Sequence, residues 1–184
     1  MGVFLTTEAQ VAMLNLIKRA RGKRVEYGLQ LLLEDDKIYP GQWKWGSVER
    51  IRASLSGIGW FHTHPEERTR GEIIRGYSLF ERPARLSQVD ILHIFVSPEH
   101  RIIGVGGPEI FLSKLVPYGL EESSEVQFAS LVKPVPAALR LDVLRMIPLV
   151  AMFEVPVKGI EEYYELHTFD LTSTRSYPME VCLE

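Results

Sequence analysis

The chain has 184 residues, of which 46% are hydrophobic, and it carries a formal net charge of −3. This size and apolar content predict one domain with one core, and the small charge favours neither nucleic acid nor a membrane surface as a partner. A single cysteine excludes an internal disulfide framework and a cysteine-rich zinc site. Since the chain also lacks a signal-peptide pattern and a long apolar run, we expect a soluble, cytoplasmic protein without a membrane partner.

The first predicted element is a helix in TTEAQVAMLNLIKRARGKR, residues 6–24. Thr7 followed by Gln10 has the form of a capping box, and basic residues gather at the C-terminal end. VEYGLQLLLED then predicts a strand, and EDDKIYPGQ predicts a turn. The next stretch, WKWGSVERIRASLS, fits either a strand or a short helix.

GIGWFHTHP, residues 57–65, predicts a short strand that ends at Pro65. Residues 66–86 have mixed charge and predict a long loop or an inserted small element. LSQVD predicts the start of a helix with Ser87 as N-cap. The three apolar segments that follow, ILHIFVSP, RIIGVGG and EIFLSKLV, are predicted to be strands.

The character of the sequence changes at residue 118, where proline-punctuated and aromatic segments begin. These segments predict a helix followed by strands that pack on the core. We therefore divide the chain into a core, residues 1–117, and a C-terminal extension, residues 118–184. The extension is expected either to form a homodimer interface or to cap an edge of the sheet.

Two histidines, His62 and His64, stand one residue apart at the end of a predicted strand. Residues i and i+2 of a strand lie on the same face, so both imidazoles can aim at one point while Thr63 faces the other way. Neutral imidazoles are common zinc ligands. A bare HxH pair, however, is more often two ordinary hydrogen-bonded histidines than a metal site.

Asp90 and Glu26 extend this pattern. With Ser87 as N-cap, Asp90 takes the third position of the helix, where it is either a plain capping-box acid or a third metal ligand. Two imidazoles and a carboxylate with an open fourth position are the ligands of a catalytic zinc. Glu26 begins an otherwise apolar strand, where it either ends the strand in solvent or exchanges protons with a zinc-activated water.

The segments EYGLQLL, HTHP and SQVD together resemble the JAMM motif of the JAB/MPN metalloproteases, over roughly residues 5–116. In that motif a Glu precedes His-Ser/Thr-His-Pro and then Ser-x-x-Asp. The resemblance implies one Zn²⁺ ion bound by two histidines and an aspartate, with a glutamate as general acid and base and a serine that stabilises the oxyanion. Those positions are His62, His64, Asp90, Glu26 and Ser87 in this chain.

The same resemblance implies an α/β fold in which a curved mixed β-sheet is flanked by helices, related to cytidine deaminases. The implied activity is that of a metallopeptidase or isopeptidase acting on a protein or peptide. The implied substrate is a conjugate from which a ubiquitin-like or sulfur-carrier protein is released. The alternative is a non-catalytic MPN-type scaffold, although such members commonly lose motif residues and this chain retains all of them.

The sequence departs from the family pattern in two places. About fifteen extra residues separate His64 from Asp90 and must emerge at the rim of the site. We expect Arg68 and Arg70 in this insertion, together with Thr63, to contact substrate, although a surface excursion of balanced charge is an equal alternative. The second departure follows Asp90, where ILHIFVSP predicts only a short helix before a strand.

Overall fold

The computed structural model describes residues 1–23, 25–46, 57–64, 78–113, 124–173 and 178–184, with residues 78–82 and 109–113 described by their backbone alone. In these ranges the helices are α1 (Thr7–Ala20), α2 (Gln88–Val96), α3 (Ala137–Phe153) and a 3₁₀ turn (Glu161–Tyr163). The strands are β1 (Gly2–Leu5), β2 (Glu26–Glu34), β3 (Lys37–Gly46), β4 (Gly59–Thr63), β5 (Ser78–Pro83), β6 (Ile102–Gly106), β7 (Pro108–Ser113), β8 (Glu125–Leu131), β9 (Tyr164–Asp170) and β10 (Pro178–Glu180).

Eight of these strands form one mixed sheet in the order β10-β1-β3-β2-β4-β6-β8-β9, and β5 pairs with β7 in a separate ribbon. The pairs β1/β3 and β4/β6 are parallel, and the others are antiparallel. The sheet nearly closes, because the Cys182 N–H beyond β10 donates to the Leu131 carbonyl at the end of β8, at 2.7 Å. The predicted α/β class is confirmed, and a curved sheet is compatible with this near closure.

Helix α1 covers one face of the sheet with Ala9, Met13 and Leu16 buried. Its N-cap is Thr6 and not the predicted Thr7, because the Thr6 hydroxyl accepts from the Ala9 N–H at 3.2 Å. The same hydroxyl donates to the Ile38 carbonyl of β3 at 2.8 Å. This contact with a distant strand favours Thr6 over Thr7 as the N-cap, and it cannot be predicted from the local sequence.

The turn after β2 is shorter than predicted. It contains Asp35 and Asp36, and the segment KIYPGQ belongs to β3. Asp35 has a φ of 57°, in the left-handed region that aspartate tolerates better than most residues. The ambiguous stretch that follows is strand as far as Gly46, and the rest of it, residues 47–56, lies outside the described residues.

Helix α2 contradicts the prediction that ILHIFVSP is a strand. The segment stays helical through Val96, and every residue from Asp90 to Phe95 is buried, including His93. It lies between the sheet and α3, in a core cluster that includes Trp60, Phe95 and Val143. A helix buried on all sides loses the 3.6-residue alternation of apolar and polar residues, so its sequence resembles a buried strand.

The segment after residue 118 also differs in order from the prediction. It forms β8, then α3, then β9 and β10, and all three strands join the main sheet. The sheet therefore has α1 on one face and α2 with α3 on the other. None of the helices in the described ranges has the length and apolar character that crossing a bilayer requires.

Candidate metal centre

Strand β4 positions the two histidines. It lies between β2 and β6, with His62 opposite Gly28 on one side and Val105 on the other. All five of its residues are buried, and His64 follows directly after its last residue. Gly28 brings no side chain to the position opposite His62. Pairing along both edges fixes the direction in which the strand end points.

Trp60 shapes the same face of β4, two residues before His62. Its ring lies 4.7 Å from the His62 ring, centroid to centroid, at an interplanar angle of 33°, and the side chain is fully buried. This contact limits the orientations that the imidazole can adopt. The sequence prediction did not include Trp60, although its position at i−2 from a candidate ligand was a signal for it.

Asp90 reaches the cluster from the first turn of α2. Its Oδ2 accepts the Ser87 N–H at 2.8 Å and the Ser87 hydroxyl at 2.7 Å, while the Asp90 N–H donates to Ser87 Oγ at 3.1 Å. The predicted capping box, with Ser87 as N-cap and Asp90 as its third residue, is confirmed. The two readings of Asp90 are therefore compatible, since Oδ2 caps the helix and Oδ1 faces His62.

Two hydrogen bonds hold the segment that leads into this turn. The Ala84 N–H donates to the Gly107 carbonyl at 2.7 Å, and the Leu86 N–H donates to the side-chain oxygen of Gln127 at 2.8 Å. Gln127 lies on β8, so this hydrogen bond ties the segment before α2 to a strand that is two positions from β4 in the sheet. The sequence prediction missed Gln127 because its partner is a backbone group 41 residues away.

The three side chains form a compact group. Asp90 Oδ1 lies 3.4 Å from His62 Nε2, and Asp90 Oδ2 lies 3.5 Å from His64 Nε2. These separations exceed the 2.7–3.2 Å usual for N–H···O hydrogen bonds. They match the distance of about 3.3 Å between two ligand atoms on a tetrahedral ion with bonds of about 2.0–2.1 Å. The potential ligand atoms all lie within 4.8 Å of one another, so His62, His64 and Asp90 could hold one metal ion.

Electrostatics and burial agree with this assignment. Burial raises the pKa of the Asp90 carboxyl, but the adjacent His62 and His64 imidazoles outweigh it and hold that pKa well below its ordinary value of 3.8. The carboxylate is therefore ionised at neutral pH. Neither ring nitrogen of His62 makes a hydrogen bond within the part of the chain that the structure describes. A metal ion would satisfy one of them.

Strand register brings Glu26 to the same end of the sheet. Gly28 pairs with His62, and the antiparallel register continued by two residues places Glu26 opposite His64. The Tyr27 N–H donates to the Thr63 hydroxyl at 3.1 Å, so the two strands remain adjacent to that point. Facing residues of antiparallel strands share a side of the sheet and lie about 4.5–5.5 Å apart. Glu26, which is half-buried, therefore faces the same side as the two imidazoles.

Of the remaining predicted site residues, the structure describes Thr63. Thr63 is fully buried, and its hydroxyl accepts from the Tyr27 backbone N–H, so it fastens β4 to β2, and its contact with substrate stays a prediction. Arg68 and Arg70 lie outside the described residues, as does Pro65. No protein-family model matches the chain, and no curated protein matches it. The metal centre is assigned from ligand type, distance and burial.

Proposed function

We propose that this protein is a zinc-dependent metallopeptidase or isopeptidase. The observation that carries the proposal is the convergence of His62, His64 and Asp90, with Glu26 on the same face of the sheet. The described group has three members, and structural zinc sites normally use four protein ligands. Three nitrogen and oxygen ligands with a fourth position for water are the arrangement of hydrolytic zinc enzymes.

Zinc held by His62, His64 and Asp90 would lower the pKa of a bound water and would polarise the carbonyl of the scissile amide. Glu26 accepts a proton as the water oxygen attacks the carbonyl carbon. The same carboxyl group then donates that proton to the nitrogen as the carbon–nitrogen bond breaks. The products are a carboxylate and a protonated amine, which together contain both protons of the water, so one water is consumed and no further reactant is needed.

Ser87 has two roles in this proposal. Its hydroxyl and N–H hold Asp90 Oδ2, which turns the other carboxylate oxygen toward His62. Ser87 is exposed and adjacent to the cluster, and we assign its hydroxyl as a donor to the substrate oxygen on which negative charge develops. Substrate binding would then replace the hydrogen bond that this hydroxyl donates to Asp90 Oδ2 with one that it donates to the substrate oxygen.

The substrate class follows from the resemblance to the JAMM motif. We propose a conjugate in which the C-terminus of a ubiquitin-like or sulfur-carrier protein is joined to an amine. His64 and Ser87 flank the insertion in the sequence, and we propose that the insertion contacts an extended C-terminal tail. Arg68 and Arg70 remain the proposed contacts within it.

The test compares Glu26→Gln with the wild type after both are loaded with zinc. Cleavage of a ubiquitin-like protein fused to a reporter peptide should fall by about 10²–10⁴-fold in kcat, since general acid–base catalysis contributes that much. Zinc stoichiometry and circular dichroism should stay unchanged. Glu34→Gln, at the exposed opposite end of β2, is the matched control and should retain full turnover.

Unchanged turnover in Glu26→Gln would overturn the mechanism. A wild-type protein that binds one zinc ion but cleaves no such fusion or conjugate would instead favour the non-catalytic MPN-type scaffold.

A further inference from the structure

Helix α3 is apolar on two opposite sides. Its inner side buries Val143 and Val150 against α2 and the rest of that core. Its other side exposes four large apolar residues, and we name this side the outer face of α3: Leu141, Leu144, Leu149 and Met152. Met152 is 72% exposed and Leu144 is 55% exposed, with no described residue covering them.

This exposure is larger than scattered surface hydrophobics would explain. Phe153 and Val155 extend the outer face at its C-terminal end, with Phe153 65% exposed. Together the six side chains present roughly 500–600 Å² of apolar surface, at the upper end of the largest patch on a typical monomer. Such a patch normally marks an interaction site.

The spacing of the outer face is symmetric along the helix. Leu141 and Leu144 precede the midpoint, and Leu149 and Met152 follow it, with separations of three, five and three residues. Two copies of the helix that run antiparallel about a twofold axis would place Leu141 against Met152 of the partner. Leu144 would lie against Leu149 of the partner. A twofold interface requires such a self-complementary surface.

Charges at the two ends fit the same arrangement. Arg140 lies at the N-terminal end of the face and Glu154 just beyond its C-terminal end, and neither forms an ion pair within the described ranges. In the antiparallel pair each arginine meets the glutamate of the partner. Arg145 lies within the face, and arginine is common in interfaces because its apolar stem packs while its charged group reaches the rim.

We propose that the outer face of α3 is the interface of a homodimer with twofold symmetry. A stable interface takes about 800 Å² from each partner, and the apolar side chains supply roughly two thirds of that before the polar rim is added. Because α2 lies between α3 and the sheet, the dimer would also brace the helix that carries Asp90. The proposal does not depend on the proposed hydrolase activity.

The first test measures the mass of the full chain by sedimentation equilibrium. Interfaces of this size have dissociation constants of about 1 µM or below, so the wild type should have twice the chain mass of 21.0 kDa at concentrations on the order of 10 µM or above. Leu144→Glu alters both copies at once and should raise the dissociation constant at least about 100-fold. Leu166→Glu, with 49% exposure on β9, is the matched control and should not change it.

The second test reverses the charges of Arg140 and Glu154, one at a time and together. It probes the antiparallel pairing without placing a charge among the apolar residues of the outer face. Arg140→Glu or Glu154→Arg alone should weaken the dimer several-fold, since each places like charges at both ends. The double variant should restore the wild-type dissociation constant.

A wild-type chain that stays monomeric at every concentration would overturn the proposal and would indicate a different protein as the occupant. A dimer that none of the outer-face variants weakens would overturn it as well.

Discussion

His62 shows why this cluster is more than a chance grouping of polar residues. Its side chain is fully buried, yet neither ring nitrogen makes a hydrogen bond among the described residues. A buried polar group without a partner costs about 1–3 kcal/mol. Coordination through Nε2 relieves part of that cost, and Asp90 already holds a carboxylate oxygen at the distance expected for a second ligand.

At the residue scale we predict that Ser87 and Asp90 contribute unequally to zinc affinity. Ser87→Ala removes the hydroxyl donor to Asp90 Oδ2 and keeps the backbone N–H donor, and the loss of a group that orients a metal ligand typically weakens metal binding about 10–100-fold. Asp90→Asn should weaken it further because it removes the anionic ligand. Competition with a chromophoric chelator measures both affinities.

The matched control lies at the other end of the same helix. The Ser97 hydroxyl accepts the His100 N–H at 3.1 Å, so Ser97→Ala also removes a hydrogen bond at a helix end. It should leave zinc affinity unchanged. Equal affinity in wild type and Ser87→Ala would show that the capping box does not support the metal centre.

At the scale of elements, the parallel pair β4/β6 depends on a close approach at Gly59. Gly59 faces Ile102, and a Cβ at this position would overlap the Ile102 backbone carbonyl. Because a carbonyl inside a sheet cannot move aside, Gly59→Ala should lower the free energy of unfolding by about 3 kcal/mol. Urea denaturation measures the change.

Gly2→Ala is the control for this substitution, since a Cβ there meets only the Glu180 carboxylate at 3.6 Å. Its effect should stay within about 0.5 kcal/mol. If Gly59→Ala proves equally mild, β4 and β6 do not approach as closely as described. Zinc affinity should fall in the Gly59 variant as well, because β4 carries His62 and His64 follows directly after it.

At the scale of the whole molecule, a metal ion held by the cluster would link elements that only folding brings together. His64 directly follows β4 and Asp90 lies on α2, so the unfolded chain offers no preformed site. Zinc at 100 times its dissociation constant should therefore stabilise the fold by about 2.7 kcal/mol. For a chain of this length that raises Tm by about 5–10 °C.

Differential scanning calorimetry with zinc, and with excess chelator, tests this linkage. His64→Asn should abolish the rise in Tm, while His167→Asn, outside the cluster on β9, should preserve it. A rise in Tm that persists in His64→Asn would place the zinc at another site.

The C-terminal extension also acts at this scale. Its three strands complete the main sheet, and its helix α3 covers α2. The domain boundary at residue 118 remains a prediction, since the extension and the core share one sheet. The proposed dimer would add a second copy on the outer face of α3.

Some features were predictable from sequence because they depend on neighbours within a few residues. The capping box of Ser87 and Asp90 is a local hydrogen-bond pattern, and the common face of His62 and His64 follows from the two-residue repeat of a strand. Strand β2 with its initial Glu26 was also predicted correctly. In each case the relevant contacts lie within one turn or one strand.

The tertiary structure decided what depends on distant segments. Helix α2 was predicted as a strand because packing against both the sheet and α3 makes its sequence apolar on every side. Gln127 supports the site through a contact with a backbone group 41 residues away, which no local pattern indicates. The approach of Asp90 to the histidines was one of two alternatives that its position in the helix left open, and the resemblance to the JAMM motif favoured it. Its physical cause is the packing of α2 beside β4, because a chain without its core has no force that joins ligands 26 residues apart.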